Sequence, residues 1–345
     1  MTEKYNNTSK LQQWLEKIWY GNGRGRFLLL PLSALYCTIN TLQRKRQSQH
    51  LPTLPCPVIV VGNMTVGGTG KTPLTIYIVK LLQRHGYKPA IITRGYGGKA
   101  ASWPQAVTAS SDPQQVGDEA VLMAIRTGVP VYAGANRLAS IEALLKAHEC
   151  DVIVSDDGLQ HYKLPRDIAI AVVDGERALG NGLCLPAGPL REQKQRLEAC
   201  DFVLLNGKSN LKTIHKNQQY RFALKGDLLY ALHGNKQLNL DAFDAQSVHA
   251  VTGIGHPERF YSTLEQGGLR IIKHSFPDHH VYKASDLRFA DDHPIVMTEK
   301  DAVKCKHLAL TEPIAQHCWY LPVNAVVDDG FDQVFLKRLK NITEK

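Results

Sequence analysis

Val58-Ile-Val-Val-Gly-Asn-Met-Thr-Val-Gly-Gly-Thr-Gly-Lys-Thr72 is a β-branched apolar run that passes into a glycine-rich loop and then into a helical pattern. A continuous apolar strand of this kind suits the interior of a parallel sheet. The loop after it has the composition of a polyphosphate cradle: glycines for close backbone approach, an ammonium group at Lys71 and a hydroxyl for a metal at Thr72. The usual spacing G-x-x-x-x-G-K-[ST] puts its first glycine at position 65, where this chain has Thr65. Gly62, Gly67 and Gly68 can supply the backbone freedom instead. The stretch therefore reads as a variant phosphate loop binding ATP or GTP, with Thr65, Gly67, Gly68, Thr69, Gly70, Lys71 and Thr72 as its contacts.

Working outward, apolar runs at 90–93, 129–133, 152–155, 168–173 and 202–205 alternate with helical patterns at 71–85, 118–127 and 138–148. This alternation predicts an α/β fold, a doubly wound parallel sheet of the P-loop NTPase type, over residues 50–218. Short alternating runs at 219–240 read as a hairpin linker. A second, smaller α/β domain is expected over 241–345, with strands near 248–252, 269–274, 294–298 and 319–323.

Residues 1–49 are expected to form an N-terminal helical arm. Leu11, Trp14, Leu15, Ile18 and Trp19 share one helical face, and Ser9 with Gln12 fits a capping box. An apolar segment from Phe27 to Ile39 precedes Arg44-Lys45-Arg46. Thirteen helical residues reach only about 20 Å, short of the ~30 Å of a bilayer core, so no transmembrane span is expected. The late start and the lack of a small-x-small site speak against a secretory signal. Of the net charge of +9, an excess of +6 lies in residues 1–50, which hold eight Lys/Arg and two Glu. Charge concentrated there fits a membrane-surface arm better than a nucleic-acid binder, although packing of the arm on the protein's own core is an equal alternative on pattern alone. The hydrophobic fraction of 43% and charged fraction of 21% are those of a globular chain, and seven scattered cysteines with no C-x-x-C pair fit a reducing compartment. No obligatory protein partner is evident.

Val152-Ile-Val-Ser-Asp-Asp157 ends a strand in two carboxylates, where a phosphate-loop protein holds Mg²⁺. Turn capping is the plain alternative. Asp118 and Glu119 open a helix, as a cap or as a base near an acceptor hydroxyl. Arg191 and Glu192 follow a rigid turn, where they can serve phosphate and metal or simply enter a helix. A His279–His280 pair lies far downstream and proves little by itself.

Gly62 to Thr72, Thr93-Arg-Gly-Tyr-Gly-Gly98, Val116-Gly-Asp-Glu-Ala120, Ser155-Asp-Asp-Gly-Leu-Gln-His161, Pro186-Ala-Gly-Pro-Leu-Arg-Glu192, Phe276-Pro-Asp-His279 and Thr298-Glu-Lys-Asp-Ala-Val-Lys304 together resemble, in order and approximate spacing, the tetraacyldisaccharide 4′-kinases of lipid A synthesis. The resemblance covers nearly the whole chain, including Pro31 to Tyr36 of the arm. It implies transfer of the ATP γ-phosphate to the 4′-hydroxyl of an acylated disaccharide 1-phosphate lipid, giving lipid IVA, by a peripheral protein at the cytoplasmic face of the inner membrane. It further implies Asp118 as base with His279 as its partner, Thr72, Asp156, Asp157 and Glu192 as the Mg²⁺ set, and Tyr96, Arg137, His161 and Arg191 on the substrate side. The segment from Thr298 to Lys304 is expected to line the nucleotide pocket. Two rivals share the cradle: a membrane-attached nucleotide switch, which should carry a guanine-reading N-K-x-D that this chain lacks, and an ATP-dependent ligase, which would not need the arm.

Overall fold

The computed structural model describes residues 10–21, 23, 25–208, 211, 219–243, 247–306, 308 and 316–344. The arm is two helices, α1 (Lys10–Tyr20) and α2 (Arg26–Gln47). Ser9, the expected cap of α1, lies outside the described residues. Then follow β1 (Val58–Asn63), α3 (Lys71–Arg84), β2 (Pro89–Thr93), β3 (Gln105–Val107), α4 (Pro113–Val116), α5 (Asp118–Thr127), β4 (Val131–Ala133), α6 (Arg137–Ala147), β5 (Val152–Asp156), β6 (Ile168–Asp174), β7 (Phe202–Asn206) and β8 (Gln219–Lys225). The rest of the chain supplies β9 (Leu228–Ala231), β10 (Gln237–Asn239), β11 (Val248–Thr252), α7 (Pro257–Gln266), β12 (Ile271–Ser275), β13 (Ile295–Thr298), α8 (Glu299–Cys305), β14 (Cys318–Leu321), β15 (Asn324–Val327) and α9 (Phe331–Thr343).

The larger sheet has nine strands in the order β15-β8-β7-β6-β1-β5-β2-β4-β3, parallel throughout except at its two edges. Every residue of β1, β2, β5, β6 and β7 is buried. That explains the unbroken apolar runs: both faces of these strands are covered, so no position needs a polar side chain. The chain winds to one side of β1 through β2 and β4, returns to β5, and crosses to β6 on the other side. The strand order thus reverses at β1, and the crevice at the carboxyl ends of β1 and β5 is where such a sheet binds ligands.

The smaller sheet has six strands in the order β10-β9-β14-β13-β11-β12, parallel from β12 to β14. The 219–240 segment is split between the sheets. Gln219–Lys225 pairs with β7 in the larger sheet, while β9 and β10 form an antiparallel hairpin in the smaller one. The end of the chain also returns: Asn324 pairs with Lys225, so β15 covers the exposed edge of β8. Phe331, Phe335 and Leu339, one face of α9, are fully buried in the larger sheet's core, with Phe331 edge-on to Phe202 at 5.4 Å. The smaller sheet is therefore an insertion in the first, joined to it by two chain crossings.

The arm uses both of its faces. On the inner one, Ser33 Oγ donates to Cys184 O at 2.7 Å, Asn40 Nδ2 to Arg191 O at 3.0 Å, and Trp19 Nε1 to Pro186 O at 2.9 Å, while Ile18 is buried. The outer face exposes Leu28, Leu32, Leu35, Ile39 and Leu42. No described helix is long and apolar enough to cross a membrane.

Candidate active site

The loop after β1 is curled by Asn63, whose side-chain amide donates to Thr65 O at 2.7 Å and Gly67 O at 3.1 Å. Thr65 itself is buried and bridges Leu190. Its backbone is not left-handed, so a β-branched residue replaces the usual glycine there without strain. The left-handed positions are Gly67 and Gly70, at φ 102° and 90°. Gly70 could not be otherwise for a second reason: a Cβ there would lie 2.9 Å from Asn206 Nδ2, the group that donates to Thr69 O. Gly70 caps α3 with no side chain, so the first N–H groups of a 14-residue helix are left for an anion. Lys71 and Thr72 follow at once.

The carboxyl end of β5 supplies the acidic groups. Asp156 is fully buried; Thr75 Oγ1 donates to its Oδ1 at 2.9 Å, and Oδ2 has no protein partner. Burial, and then the charge of Glu119, push its carboxyl well above the usual range. Asp157 stands in the left-handed region at φ 50°, 3.6 Å from Lys71 Nζ and 3.3 Å from Arg191 Nη1. Burial raises its pKa, but the charges of Lys71, Arg191 and Arg137 outweigh that and hold it ionised below the ordinary value. Arg137 is buried, and its guanidinium donates to Gly134 O at 2.6 Å and Asp156 O at 3.3 Å, tying down the end of β5. Burial lowers its pKa to about 10.

Glu192 is buried apart from this group, accepting from Gln160 Nε2 at 3.0 Å with Arg196 Nε 3.7 Å away. Thr72 and Asp157 line the main cleft; Asp156 and Glu192 do not. Among the described residues no three His, Cys, Asp or Glu converge as a metal cage. A hard cation that keeps most of its waters needs no such cage: the Thr72 hydroxyl, Asp157 and the orphaned oxygen of Asp156 fit one that also takes phosphate oxygens.

Across the cleft, Asp118 is the first residue of α5, only 4% exposed, with Oδ1 accepting from Glu119 N at 2.8 Å. Its Oδ2 lies 3.1 Å from His279 Nδ1, which comes from the loop after β12 in the smaller sheet. His279 sits at φ 60° and packs against the Tyr96 ring at 4.9 Å. Burial favours a neutral Asp118, but the bond from His279 and the charge of Lys300 outweigh it and lower its pKa. The same bond raises that of His279. His280 is turned elsewhere, 3.0 Å from Asp286 and stacked on Phe276 at 4.7 Å, so of the two imidazoles it is that of His279 that meets Asp118.

The main cleft has a volume of about 1260 Å³ and is walled by both sheets and by Tyr36 of the arm. Lys71, Tyr96, His161, Arg191, His279 and Lys300 all open onto it. Asp118 lies behind His279 in a side cavity of about 50 Å³ that shares Tyr96 and His279 with the cleft. Burial and then the charge of Arg137 depress His161 to about 4, so in the free protein it is a neutral imidazole at neutral pH. Thr298, Glu299 and Lys300 line the cleft, whereas Asp301 is fully buried. Two contacts that sequence reasoning did not find close the cleft's sides: Arg259 Nη2 to Asp174 Oδ1 at 2.9 Å, and Arg126 Nη1 to Glu299 Oε2 at 2.6 Å. Each joins the two sheets, and no local motif marks either partner.

Compared with known proteins, residues 25–340 match the model of the family described as tetraacyldisaccharide-1-P 4′-kinase. A tetraacyldisaccharide 4′-kinase from Nitrosococcus oceani is 45% identical over 334 residues, 95% of each chain. One from Alkalilimnicola ehrlichii is 50% identical over 300 residues, covering 86% of this chain and 87% of its own. A crystal structure of LpxK from Aquifex aeolicus in complex with ATP superposes with a TM-score of 0.77 at 27% identity, over 92% of this chain and 99% of that one.

Proposed function

The chain belongs to the tetraacyldisaccharide 4′-kinase family, and from that premise we propose how its own residues move the ATP γ-phosphate to the 4′-hydroxyl of a tetraacylated disaccharide 1-phosphate. The enzyme is an ATP-dependent phosphotransferase of lipid A synthesis; its products are ADP and lipid IVA. The observation that carries the mechanism is the 3.1 Å contact between Asp118 and His279, which brings a carboxylate from one sheet and an imidazole from the other to the wall of the cleft that also holds Lys71.

The N–H groups from Gly67 to Thr72 and the Lys71 ammonium hold the β- and γ-phosphates. Thr72 and Asp157 would hold Mg²⁺, with Asp156 buried behind Asp157 at the end of β5, and the ion would offset phosphate charge. Glu192, bonded to Gln160, supports that end of the cleft from outside the metal's own ligands. The sugar hydroxyl approaches the His279 face. Its oxygen bonds to Pγ as the bond to the bridging oxygen of ADP breaks, and the hydroxyl proton passes to the Asp118–His279 pair. The burial order, His279 at 23% exposure in front of Asp118 at 4%, supports the two acting as one base. Tyr96, His161 and Arg191 are placed to orient the acceptor, while Arg137 acts through the backbone of Asp156.

An acceptor with four acyl chains must be met at a bilayer surface. The exposed Leu28, Leu32, Leu35, Ile39 and Leu42 recur every three or four residues on one stripe of α2, which ends in Arg44, Lys45 and Arg46. This supports a peripheral arm with leucines at the acyl boundary and cations on anionic headgroups, at the cytoplasmic face of the inner membrane where ATP is available.

Purified protein given radiolabelled ATP, Mg²⁺ and the acylated disaccharide phosphate should label the lipid, with the acceptor either in detergent or in anionic vesicles. No labelled lipid in either form would refute the kinase mechanism. A Leu32→Asp/Leu35→Asp variant should keep the detergent reaction and lose most of the vesicle reaction; equal rates from vesicles would remove the membrane role of the arm.

A further inference from the structure

Lys300, the second residue of α8, stands where the two sheets meet over the base pair. Its Nζ lies 3.1 Å from Glu119 Oε1, 3.3 Å from Asp278 Oδ1 and 3.9 Å from Asp118 Oδ2. Asp118 and Glu119 open α5 of the larger sheet, and Asp278 precedes His279 in the smaller one. The lysine side chain is 16% exposed, so its charge is poorly shielded by water. A single ammonium group therefore draws together carboxylates from both halves of the cleft.

We propose that Lys300 is a positioning residue, whose ammonium group holds the two halves of the Asp118–His279 pair in register and keeps the pair free of an extra proton at neutral pH. The proposal rests on the reading of that pair as the base. The sign follows from the charges around the pair. In its working form Asp118 is a carboxylate and His279 is neutral; one more proton makes an imidazolium bonded to the carboxylate, which cannot take a proton from the acceptor.

Asp118 favours that extra proton, since its bond raises the pKa of His279, and the cation of Lys300 opposes it. The other groups facing the pair do not replace Lys300. Lys304 is held 2.8 Å from Asp301, Glu119 and Asp278 are themselves paired with Lys300, Asp112 caps α4 on the far wall of the side cavity, and Tyr96 packs on the imidazole as a ring. Loss of the Lys300 charge leaves Asp118, Glu119 and Asp278 around His279 opposed by Lys304, whose charge is shared with Asp301, so the pair should hold its extra proton to higher pH.

The test is kcat/KM for lipid phosphorylation from about pH 5.5 to 9.5 in the wild type, Lys300→Met and Lys300→Arg, with Asp118→Asn as a reference. The acidic limb should move upward by about one pH unit in Lys300→Met, costing about tenfold on the limb in addition to a pH-independent loss from a looser pair, and Lys300→Arg should return it toward the wild-type position. A loss uniform in pH, with the limb unmoved, overturns the assignment, because a purely structural or phosphate-binding lysine behaves that way. Should Lys300→Met be poorly folded, Glu119→Gln tests the same idea from the other side: freed of its nearest partner, Lys300 should act more strongly on the pair and move the limb downward, and an unmoved or raised limb counts against it. Wild-type transfer by Asp118→Asn would instead sink the base reading, while an inactive Asp118→Asn with an unmoved limb in Lys300→Met sinks only the role given to Lys300.

Discussion

Asp118→Asn is expected to lower phosphoryl transfer by roughly 10²–10⁴-fold while ATP binding stays within a few-fold of wild type. The amide keeps the size of the carboxylate and can still accept from Glu119 N, so α5 should start where it does now. What it loses is the ability to take a proton and to stabilise a charged His279. A loss of that size is about 3–5 kcal/mol in the barrier. If Asp118 were only a helix-terminal residue, its replacement would cost about 1 kcal/mol of folding stability and leave turnover nearly unchanged. Thermal melts beside steady-state rates separate the two outcomes. His279→Ala should fall by a similar factor, and the double variant by hardly more than either, since residues acting as one unit do not add.

Lys71→Met is expected to cost roughly 10²–10³-fold in transfer, from the loss of one cation placed where phosphate charge develops. The variant should also show a smaller rise in melting temperature on adding Mg²⁺-ATP, because the ligand stabilises only through its affinity for the folded state. Without nucleotide, Lys71 is held 3.6 Å from Asp157, which Arg191 also contacts. Methionine leaves Asp157 with the charges of Arg191 and Arg137, so the folded enzyme should persist. A Lys71→Met enzyme with wild-type kcat and a wild-type shift with ATP would exclude the loop as the phosphate site.

The phosphate loop, the central strands and helices α3, α5 and α6 were legible because each rests on local signals: unbroken apolar runs, a stopping glycine, a glycine loop before a lysine. β3 was not, since Gln105–Val107 is too short for any period to show. Nor was the return of β15 to β8, because pairing of Asn324 with Lys225 is a decision about an edge formed elsewhere in the chain. The arm posed a choice between lipid and protein that pattern could not make, and α2 divides the two roles between its faces.

In the site, Lys71 and Asp157 could be singled out by residue type and motif, whereas Asp118 and His279 stood out only through the family resemblance. The order of burial within the Asp118–His279 pair and the three carboxylates on Lys300 arise only when the two sheets meet, and the contact of Glu192 with Gln160 is a long-range one inside the larger unit. Chemistry that depends on one chain segment was readable; chemistry that depends on the closing of two sheets was not.

A crystal structure of the protein with a non-hydrolysable ATP analogue and Mg²⁺ tests the mechanism at its root. The β- and γ-phosphates should lie against the backbone N–H groups of Gly67 to Thr72, within reach of the Lys71 ammonium, with the terminal phosphate opening onto the wall formed by His279 and Asp118. Phosphates bound elsewhere, or a γ-phosphate on the loop with the Asp118–His279 pair remote from it, would contradict the mechanism.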